Sequence, residues 1–466
     1  MRFRFALCFS MYASVAAAQD RAMPPQAERE LARAIYKEMV ETKTSYTTGA
    51  TTPLVEAVAR RLTAAGFPAK DIFVGGPIPT KANLVVRYHG TGRQRPLLLL
   101  AHTDVVEAKR EDWSMDPYTL TEKDGYFYGR GVGDDKSQAA AWIANLIRYK
   151  REGFTPDRDI IVALTADEEG GGPYSGVEWL LKNHRDLIDA EYALNEGGWG
   201  ESVDGTRVSN DLQVAEKYVI NYRFEVHNKG GHSSLPIADN AIYHLAGALD
   251  RLSRYAFPLK TNDVTRAYFR AMSGIEKGPV ASDLRLTASG DSAAMARVAQ
   301  GSTGWNATLR TTCVATQLEG GHAINALPQL AAANVNCRVL PEDGVDYVTA
   351  TLKGIVADTA VSVTVMGTPH NAPASPMRAD LMSTVSAVTT SLWPGVATVP
   401  MMVMGATDGL YLRSAGIPTY GIQGFFYDRN DIRFHGRDER LKVQSFYEGQ
   451  TFLYELVKRL SGAPSA

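Results

Sequence analysis

Two short apolar runs constrain the fold of this 466-residue chain more than any other feature. Leu97–Ala101 and Asp159–Thr165 lack the alternation of a half-exposed strand, so each is predicted to be a central strand buried on both faces. The segment Ser137–Tyr149 between them has the spacing of a helix. The order strand, helix, strand indicates an α/β fold with a mostly parallel sheet whose faces are covered by helices.

The pattern changes near residue 213, where alternating strands replace the buried ones. Lys217–Val226 alternates between apolar and polar residues, as an antiparallel strand with one wet face does. Ala238–Leu252 has the spacing of an amphipathic helix. Three later segments are further strand candidates: residues 305–314, 332–340 and Val361–Val365. This middle third is therefore predicted to be α+β, with antiparallel strands and helices on one side of them.

The last part of the chain returns to the earlier pattern and ends in a predicted helix, Gln444–Leu460. A chain of this length is also too long for one ordinary core. We therefore expect a catalytic domain in two parts, residues 19–213 and 371–466. An inserted domain at residues 214–370 would interrupt it.

Residues 1–18 are predicted to be a secretory signal peptide. Arg2 and Arg4 precede the apolar stretch Phe5–Val15, and Ala16–Ala18 supply the small residues of a cleavage site. The apolar part has about eleven residues where a bilayer needs roughly 20, so a membrane anchor is disfavoured. The mature protein is thus expected in the periplasm or outside the cell.

Charge and cysteine content exclude several classes of protein. The formal net charge is -2, so composition offers no electrostatic argument for a nucleic acid or a membrane surface as partner. After signal cleavage only Cys313 and Cys337 would remain, which are too few for a disulfide scaffold. They could pair if their strands are neighbours, or they could be two small core residues.

Polar clusters follow the two buried runs. His102 and Asp104 come directly after the first, where ligand groups gather in open α/β sheets. The Asp104 carboxylate is expected to accept a hydrogen bond from the His102 imidazole, an arrangement that orients metal-binding histidines. Taken alone, this pair is more often a surface or satisfied core histidine. Glu168 and Glu169 follow the second run and point in different directions, so one could bind metal while the other addresses its water.

Three more groups extend the set of candidate ligands. Asp134 and Asp135 lie among glycines before the predicted helix, and two adjacent negative charges favour a divalent cation as partner. A glycine-rich turn with an aspartate helix cap is an equally good interpretation. Glu196 follows another short apolar run, and His435 precedes a glycine. Histidine and carboxylate ligands with an open position for water suit zinc.

The ordered set of motifs resembles the zinc-dependent M20 metallopeptidase family. That family includes glutamate carboxypeptidase, carboxypeptidase S, aminoacylase-1, dipeptidases and succinyl-diaminopimelate desuccinylase. The matching segments span nearly the whole mature chain: AHTDVV, DWSMDPYTLTEKDGYFYGRGVGDDKS, TADEEGGG, LNEGG, GGHSS, LEGGHAINALPQLAAANVNCRVLP, GATDGLY and FHGRDER. LNEGG and EGGHAINALP are most similar to the carboxypeptidase S and N-acyl-amino-acid hydrolase branch.

The resemblance implies a centre with two Zn²⁺ ions per chain. His102 and Glu196 would bind one zinc, and Glu169 and His435 would bind the other. Asp134 and a water or hydroxide would bridge the two ions. In this family the peptide bond after that aspartate is usually cis.

The resemblance also implies which residues act on the substrate. Glu168 would be the general base that takes the proton of the bridging water and returns it to the leaving nitrogen. His232 would donate to the developing oxyanion, often from the partner subunit of a homodimer, although a turn histidine is the simpler interpretation. Arg338, with Asn325 as its companion donor, would bind the substrate carboxylate. The alternative interpretation of Arg338 is a salt-bridged surface arginine.

Other polar residues receive lesser roles. Three are candidate pocket or supporting residues: Thr407, Asp408 and His322. Five histidines are interpreted as structural or surface groups: His89, His184, His227, His244 and His370.

These features predict a secreted di-zinc metallo-exopeptidase that removes a C-terminal amino acid, cleaving an amide bond next to a free carboxylate. A second hypothesis keeps the site but makes the chain an N-acyl-amino-acid amidohydrolase or a dipeptidase. A third is a metal-binding homologue without turnover, which the complete ligand set disfavours. A serine hydrolase fits poorly because no G-x-S-x-G motif is present. The expected partners are a peptide or N-acyl-amino-acid substrate and a second copy of the chain.

Overall fold

The computed structural model describes residues 22–462, so the predicted signal peptide lies outside the described residues. The strands in chain order are β1 (Ile72–Gly75), β2 (Asn83–Tyr88), β3 (Leu97–His102), β4 (Thr121–Lys123), β5 (Tyr126–Tyr128), β6 (Ile160–Thr165), β7 (Tyr192–Asn195), β8 (Gly200–Val203), β9 (Thr206–Glu216), β10 (Tyr218–His227), β11 (Gly231–His232), β12 (Thr312–Gly320), β13 (Ala326–Leu327), β14 (Leu330–Val339), β15 (Val361–Met366), β16 (Ala397–Val403), β17 (Thr419–Gly421), β18 (Phe426–Asp428) and β19 (Arg440–Lys442).

The helices in chain order are α1 (Gln26–Glu41), α2 (Thr52–Ala64), α3 (Lys136–Arg151), α4 (Gly176–Asn183), α5 (Arg185–Ile188), α6 (Ala241–Arg254), α7 (Asp263–Ile275), α8 (Pro279–Ala288), α9 (Ser292–Gly301), α10 (Thr303–Leu309), α11 (Val345–Val356), α12 (Ala379–Leu392), α13 (Gly409–Ser414) and α14 (Val443–Leu460). Among residues 22–462, no helix combines the length and the apolar character needed to cross a bilayer.

The described chain divides into two compact units. The first contains the residues up to Val214, Ser375–Met401 and the residues from Thr407 onward. The second contains Ala215–Ala374 and a short return segment, Met402–Ala406. The Lys217 N–H donates to the Val403 carbonyl at 2.9 Å, which ties this return segment to the start of the second unit. A five-residue segment has no periodic pattern, so the sequence alone offered no sign of it.

A large mixed sheet forms the centre of the first unit, with the order β1-β2-β6-β3-β7-β17-β9-β8-β18. The central strands β6, β3, β7 and β17 are parallel, and antiparallel neighbours flank them. Every residue of β3 and β6 is buried. Trp142 of α3 donates to the Leu100 carbonyl at 3.2 Å, while Val177 and Leu180 of α4 pack with Leu98. The predicted α/β fold with a mostly parallel central sheet is confirmed.

The strand register sets where the polar residues of the first unit gather. His102 at the end of β3 lies opposite Thr165 at the end of β6. Asn195 at the end of β7 lies opposite Gly421 at the end of β17. Since these four strands are parallel, the residues that follow them all meet at one edge of the sheet.

The second unit contains a four-stranded antiparallel sheet with the order β12-β14-β10-β15. Residues of β10 and β14 alternate between buried and partly exposed positions, as the sequence pattern predicted. Helices α6 and α11 pack against the sheet and against each other. Cys313 lies opposite Cys337 in the β12–β14 pair, and the two form a disulfide, which decides between the two open alternatives.

One strand prediction in this unit was wrong in its first half. Within residues 305–314, the first part belongs to helix α10, and strand β12 begins only at Thr312. Helices α7 to α10 were not predicted from the sequence. Their signals are local: the side chains of Asn262, Asp291 and Ser302 each accept a backbone N–H at the start of a helix. Helices α8 to α10 have ten residues or fewer and therefore few turns to show a 3.6-residue period, whereas the 13-residue α7 buries Thr265, Phe269 and Met272 at helical spacing.

Candidate metal centre

The carboxyl ends of three parallel strands place most of the candidate ligands. His102 is the last residue of β3, Glu168 and Glu169 follow β6, and Glu196 follows β7. Two further ligands come from loops: Asp134 precedes helix α3, and His435 lies between β18 and β19. The structure brings all these side chains together in the first unit.

One cluster consists of His102, Asp134 and Glu196. The His102 Nε2 lies 2.9 Å from Asp134 Oδ1 and 3.8 Å from Glu196 Oε1. The imidazole is almost fully buried, and its Nδ1 lies 3.0 Å from the backbone carbonyl of Asp104. That carbonyl accepts the Nδ1 proton, which leaves Nε2 as a ligand atom.

A second cluster consists of Asp134, Glu169 and His435. The His435 Nε2 lies 3.0 Å from Glu169 Oε1 and 3.1 Å from Asp134 Oδ2. Asp134 therefore offers one carboxylate oxygen to each cluster. A carboxylate shared in this way is the expected ligand between two neighbouring metal ions.

The loop that carries Asp134 has an unusual backbone. The Asp134–Asp135 peptide bond is cis, as the resemblance implied. A side chain at Gly133 would lie 2.6 Å from the Phe434 ring, so only glycine lets the two loops approach this closely. The Asp135 carboxylate accepts a hydrogen bond from the Gln423 amide at 3.0 Å. The two adjacent aspartates thus have different partners.

The charges at the site favour a bound cation. Burial raises the pKa of Glu168 and of Glu196 well above the ordinary value, and the neighbouring Asp134 carboxylate adds to the rise. Burial also raises the pKa of Asp134, but hydrogen bonds from His102 and His435 outweigh it and lower that pKa. Several buried carboxylates ionise together only when positive charge is near. The imidazole and carboxylate donors fit a divalent transition metal.

Asp104 differs from its predicted role. Its carboxylate lies 3.8 Å from His102 Nδ1, which is too far for a hydrogen bond, and the prediction of that bond was wrong. Instead Oδ1 and Oδ2 accept the backbone N–H groups of Glu168 and Glu169, each at 3.1 Å. The Asp104 carboxylate thus satisfies two adjacent backbone donors in the turn after β6 and fixes both glutamates.

Thr407 and Asp408 form hydrogen bonds with residues at the ends of the strands that lead to candidate ligands. The Thr407 hydroxyl accepts the Asn195 side-chain amide at 3.3 Å, one residue before Glu196. Asp408 Oδ2 accepts the Thr165 hydroxyl at 2.6 Å at the end of β6. Both residues therefore contact strand ends that carry ligands.

The remaining candidate residues lie in the second unit. Strand pairing puts His232 opposite Ala326, next to Asn325, so these two predicted residues are neighbours. Arg338 lies near the C-terminal end of β14. His322 is exposed in the segment between β12 and β13. Within this unit the structure thus brings His232 and Asn325 together and separates them from Arg338.

Two adjacent His–carboxylate clusters at the edge of a sheet are typical of metal-dependent hydrolases that cleave amide bonds. The chain is a member of this class of hydrolase. Residues 98–459 match the peptidase family M20/M25/M40, and the chain belongs to this family.

Curated relatives include enzymes with different substrates. The human N-fatty-acyl-amino acid synthase/hydrolase is 28% identical over 372 residues, covering 78% of this chain and 74% of the relative. The probable carboxypeptidase S-like 2 of Dictyostelium discoideum is 26% identical and covers 84% of this chain and 77% of the relative. Mouse aminoacylase-1 is 26% identical and covers 90% of this chain and 91% of the relative.

Solved structures share the fold. An M20 family metallo-carboxypeptidase from Sulfolobus solfataricus superposes with a TM-score of 0.70 at 15% identity, over 92% of this chain and 98% of that one. A dinuclear metal-binding peptidase of the M20 family from Bacillus subtilis superposes with a TM-score of 0.60 at 12% identity, over 94% of this chain and 99% of that one.

The two clusters lead to a prediction about metal content. Glu169→Gln should remove a ligand that only the second cluster uses, and Glu196→Gln should remove one that only the first cluster uses. Each variant should therefore retain about one metal ion per chain, whereas the native protein should hold about two. Metal analysis after gel filtration measures this. Equal metal content in the native protein and both variants would contradict the assignment.

Proposed function

We propose that this chain uses two zinc ions to hydrolyse an amide bond adjacent to a free carboxylate. The observation that carries the proposal is the Asp134 carboxylate, which is shared between two His–carboxylate clusters. Bound zinc would polarise the substrate carbonyl and lower the pKa of a water. His102, Glu196 and Asp134 would hold one ion, and Asp134, Glu169 and His435 would hold the other.

Glu168 is the proposed general base. It lies in the same turn as the ligand Glu169, and the Asp104 carboxylate fixes its backbone N–H. Burial raises its pKa well above the ordinary value, and nearby cations would lower it toward the range in which a carboxylate accepts and returns a proton. Its carboxylate would take the proton of the attacking water and deliver it to the leaving nitrogen.

Arg338 is the proposed partner of the substrate carboxylate. Its guanidinium is partly buried, and among residues 22–462 it has no hydrogen-bond or ion-pair partner. Burial lowers its pKa. Burial and then the Arg338 charge also lower the pKa of the buried Lys217, to about 7. A partly buried guanidinium without a protein partner favours an anion, and it can bind a carboxylate through two parallel hydrogen bonds.

His232 is the proposed oxyanion donor. Its Nδ1 accepts the backbone N–H of Ser234 at 3.2 Å, so a neutral ring carries its proton on Nε2. The imidazole is exposed and lies beside Asn325. An exposed N–H of this kind is free to donate to the oxygen on which charge develops.

The position of His232 supports a homodimer. Arg338 is eight residues from Leu330, the start of β14, or about 26 Å at the usual rise per residue of a strand. His232 lies beyond that start, since Asn228 pairs with Gln329. One small substrate cannot reach both groups of one chain. We therefore propose that His232 and Asn325 act on the site of a second copy.

Exposed apolar side chains of the second unit offer a surface for that second copy. Leu318 and Val314 on the edge strand β12 are 73% and 57% exposed, and Tyr243 at the start of α6 is 68% exposed. A long unpaired edge with apolar residues beside it favours association with another chain. These exposed residues of the second unit thus suit a dimer contact.

The relatives favour N-acyl amino acids over longer peptides as substrates. The human relative is named for N-fatty-acyl amino acids, and the mouse relative is an aminoacylase. The Dictyostelium relative, a probable carboxypeptidase S-like protein, keeps the C-terminal exopeptidase as the second candidate. Both kinds of substrate present a carboxylate next to the amide nitrogen.

We also propose that the chain is exported after removal of residues 1–18. The disulfide between Cys313 and Cys337 supports this proposal because disulfides persist in oxidising compartments. Mass spectrometry of the mature N-terminus tests it, and a protein that retains Met1 would contradict it.

Replacing the general base should separate catalysis from metal binding. Glu168→Gln should lower turnover by about 10²–10⁴-fold while the metal content stays near that of the native protein, because the residue accepts a proton and is not a ligand. The adjacent Glu169→Gln is the matched control and should lose metal. If Glu168→Gln loses metal as Glu169→Gln does, Glu168 is a ligand.

A substrate panel tests the proposed role of Arg338. N-acyl amino acids should be cleaved faster than dipeptides or longer peptides, and each substrate that is cleaved with a free carboxylate should resist cleavage when that carboxylate is amidated. Arg338→Ala should raise KM for the free acids by about tenfold or more, since a hydrogen-bonded charge pair is lost. Release of C-terminal residues from longer peptides would favour the exopeptidase. Indifference to amidation would remove Arg338 from carboxylate binding.

Mixing two inactive variants tests the dimer. If His232 acts on the partner's site, Glu168→Gln and His232→Ala chains that exchange subunits should recover about a quarter of the native activity. Random pairing gives about half mixed dimers, each with one intact site of two. Light scattering confirms the dimer. No recovery in demonstrably mixed dimers would show that His232 acts within its own chain or not at all.

A further inference from the structure

A buried ion pair connects the two loops that complete the metal centre. Arg130 lies in the loop of Asp134 and is 3% exposed, while Glu439 lies in the loop of His435 and is 1% exposed. The Arg130 guanidinium donates to Glu439 Oε2 at 2.7 Å. Neither residue was a candidate from the sequence, although both lie within the matching segments GRGVGDDK and FHGRDER.

Glu439 holds the backbone of the Asp134 loop. Its Oε1 accepts the N–H groups of Gly133 at 2.7 Å and Asp134 at 3.3 Å, and its Oε2 accepts the N–H of Gly131 at 3.1 Å. Three N–H groups that point at one carboxylate fix the path of the loop from Gly131 to Asp134. The bridging carboxylate is therefore positioned from the other loop.

Arg130 holds the backbone of the His435 loop in return. Its second terminal nitrogen donates to the carbonyls of His435 at 3.2 Å and Gly436 at 3.0 Å. The guanidinium also lies over the Trp113 ring, 5.1 Å from its centroid. His435 has a φ of 60°, a left-handed conformation that a residue other than glycine keeps only when its surroundings hold it there. The bonds from Arg130 meet that requirement.

We propose that Arg130 and Glu439 are positioning residues for the second cluster, where they set the separation of His435 from Asp134. This inference rests on the proposed metal centre. Each side chain holds the backbone of the opposite loop, so loss of either one frees a ligand that no strand fixes. In the first cluster, His102 and Glu196 are held by the ends of β3 and β7, so that cluster should depend less on the pair.

The test compares three variants of the mature full-length protein. Arg130→Lys keeps the charge but cannot contact Glu439 and two carbonyls together, and Glu439→Gln keeps the shape but replaces one acceptor oxygen by a donor. Arg158→Lys is the control, because Arg158 is equally buried and pairs with Glu191 at 3.0 Å before the opposite, amino end of β6. Stepwise Zn²⁺ binding to the apoprotein is measured by calorimetry, and thermal unfolding reports folding.

The native protein and Arg158→Lys should bind two ions. Arg130→Lys and Glu439→Gln should bind the second ion about 10–100-fold more weakly, because losing a group that orients metal ligands usually lowers the affinity by that factor. The first ion should be weakened less than the second, because Asp134 is the one ligand of the first cluster that comes from either of these two loops. Unchanged binding of the second ion, or equal weakening of both ions, would overturn the positioning role. Arg130→Lys decides the matter if Glu439→Gln does not fold. A native protein that binds fewer than two ions would overturn the metal centre itself.

Discussion

The Asp134 carboxylate lies between the imidazoles of His102 and His435, and the arrangement of the first unit depends on this one contact. A carboxylate can serve two metal ions only if its own position and the positions of both histidines are fixed together. His102 gains its position from a strand that is buried along its whole length. Asp134 and His435 lie in loops. Other side chains must therefore fix their positions, as the sheet fixes the position of His102.

Buried polar groups hold those two loops and the turn that carries Glu168 and Glu169. Glu439, Arg130 and Asp104 each satisfy backbone groups that would otherwise be buried without partners. A buried ion pair adds little to the free energy of unfolding, but it specifies geometry because its hydrogen bonds are directional. These buried charged groups of the first unit thus position the candidate metal ligands.

The second unit carries charges of a different kind. Arg338 places a partly buried positive charge that no carboxylate of residues 22–462 pairs with, which suits recognition of a substrate anion. His232 and Asn325 lie beyond the start of β14, at the separate two-stranded pair of β11 and β13. This separation is the physical reason for assigning the two groups to different chains of a dimer. It could not be seen in the sequence, where both lie in one inserted segment.

Much of the fold followed from patterns of a few residues. The apolar runs before His102 and Ala166 lack alternation because both faces of a central strand are buried, and they were predicted with nearly correct ends. The helices between Asp263 and Leu309 were not predicted, although Asp263–Ile275 buries Thr265, Phe269 and Met272 at helical spacing and a side chain caps its start. The pairing of Cys313 with Cys337 depended on strand register, which neither cysteine reveals alone.

The sequence by itself determined the α/β class, the strand ends at which polar residues collect, and, through its ordered motifs, the set of candidate ligands. Only the tertiary structure decided that Asp104 holds the turn of Glu168 and Glu169 and not the His102 ring, and that Arg130 and Glu439 join two loops. The reason is physical. Burial and periodicity are written in neighbouring residues, whereas a hydrogen bond between residues 300 positions apart exists only once the chain has folded.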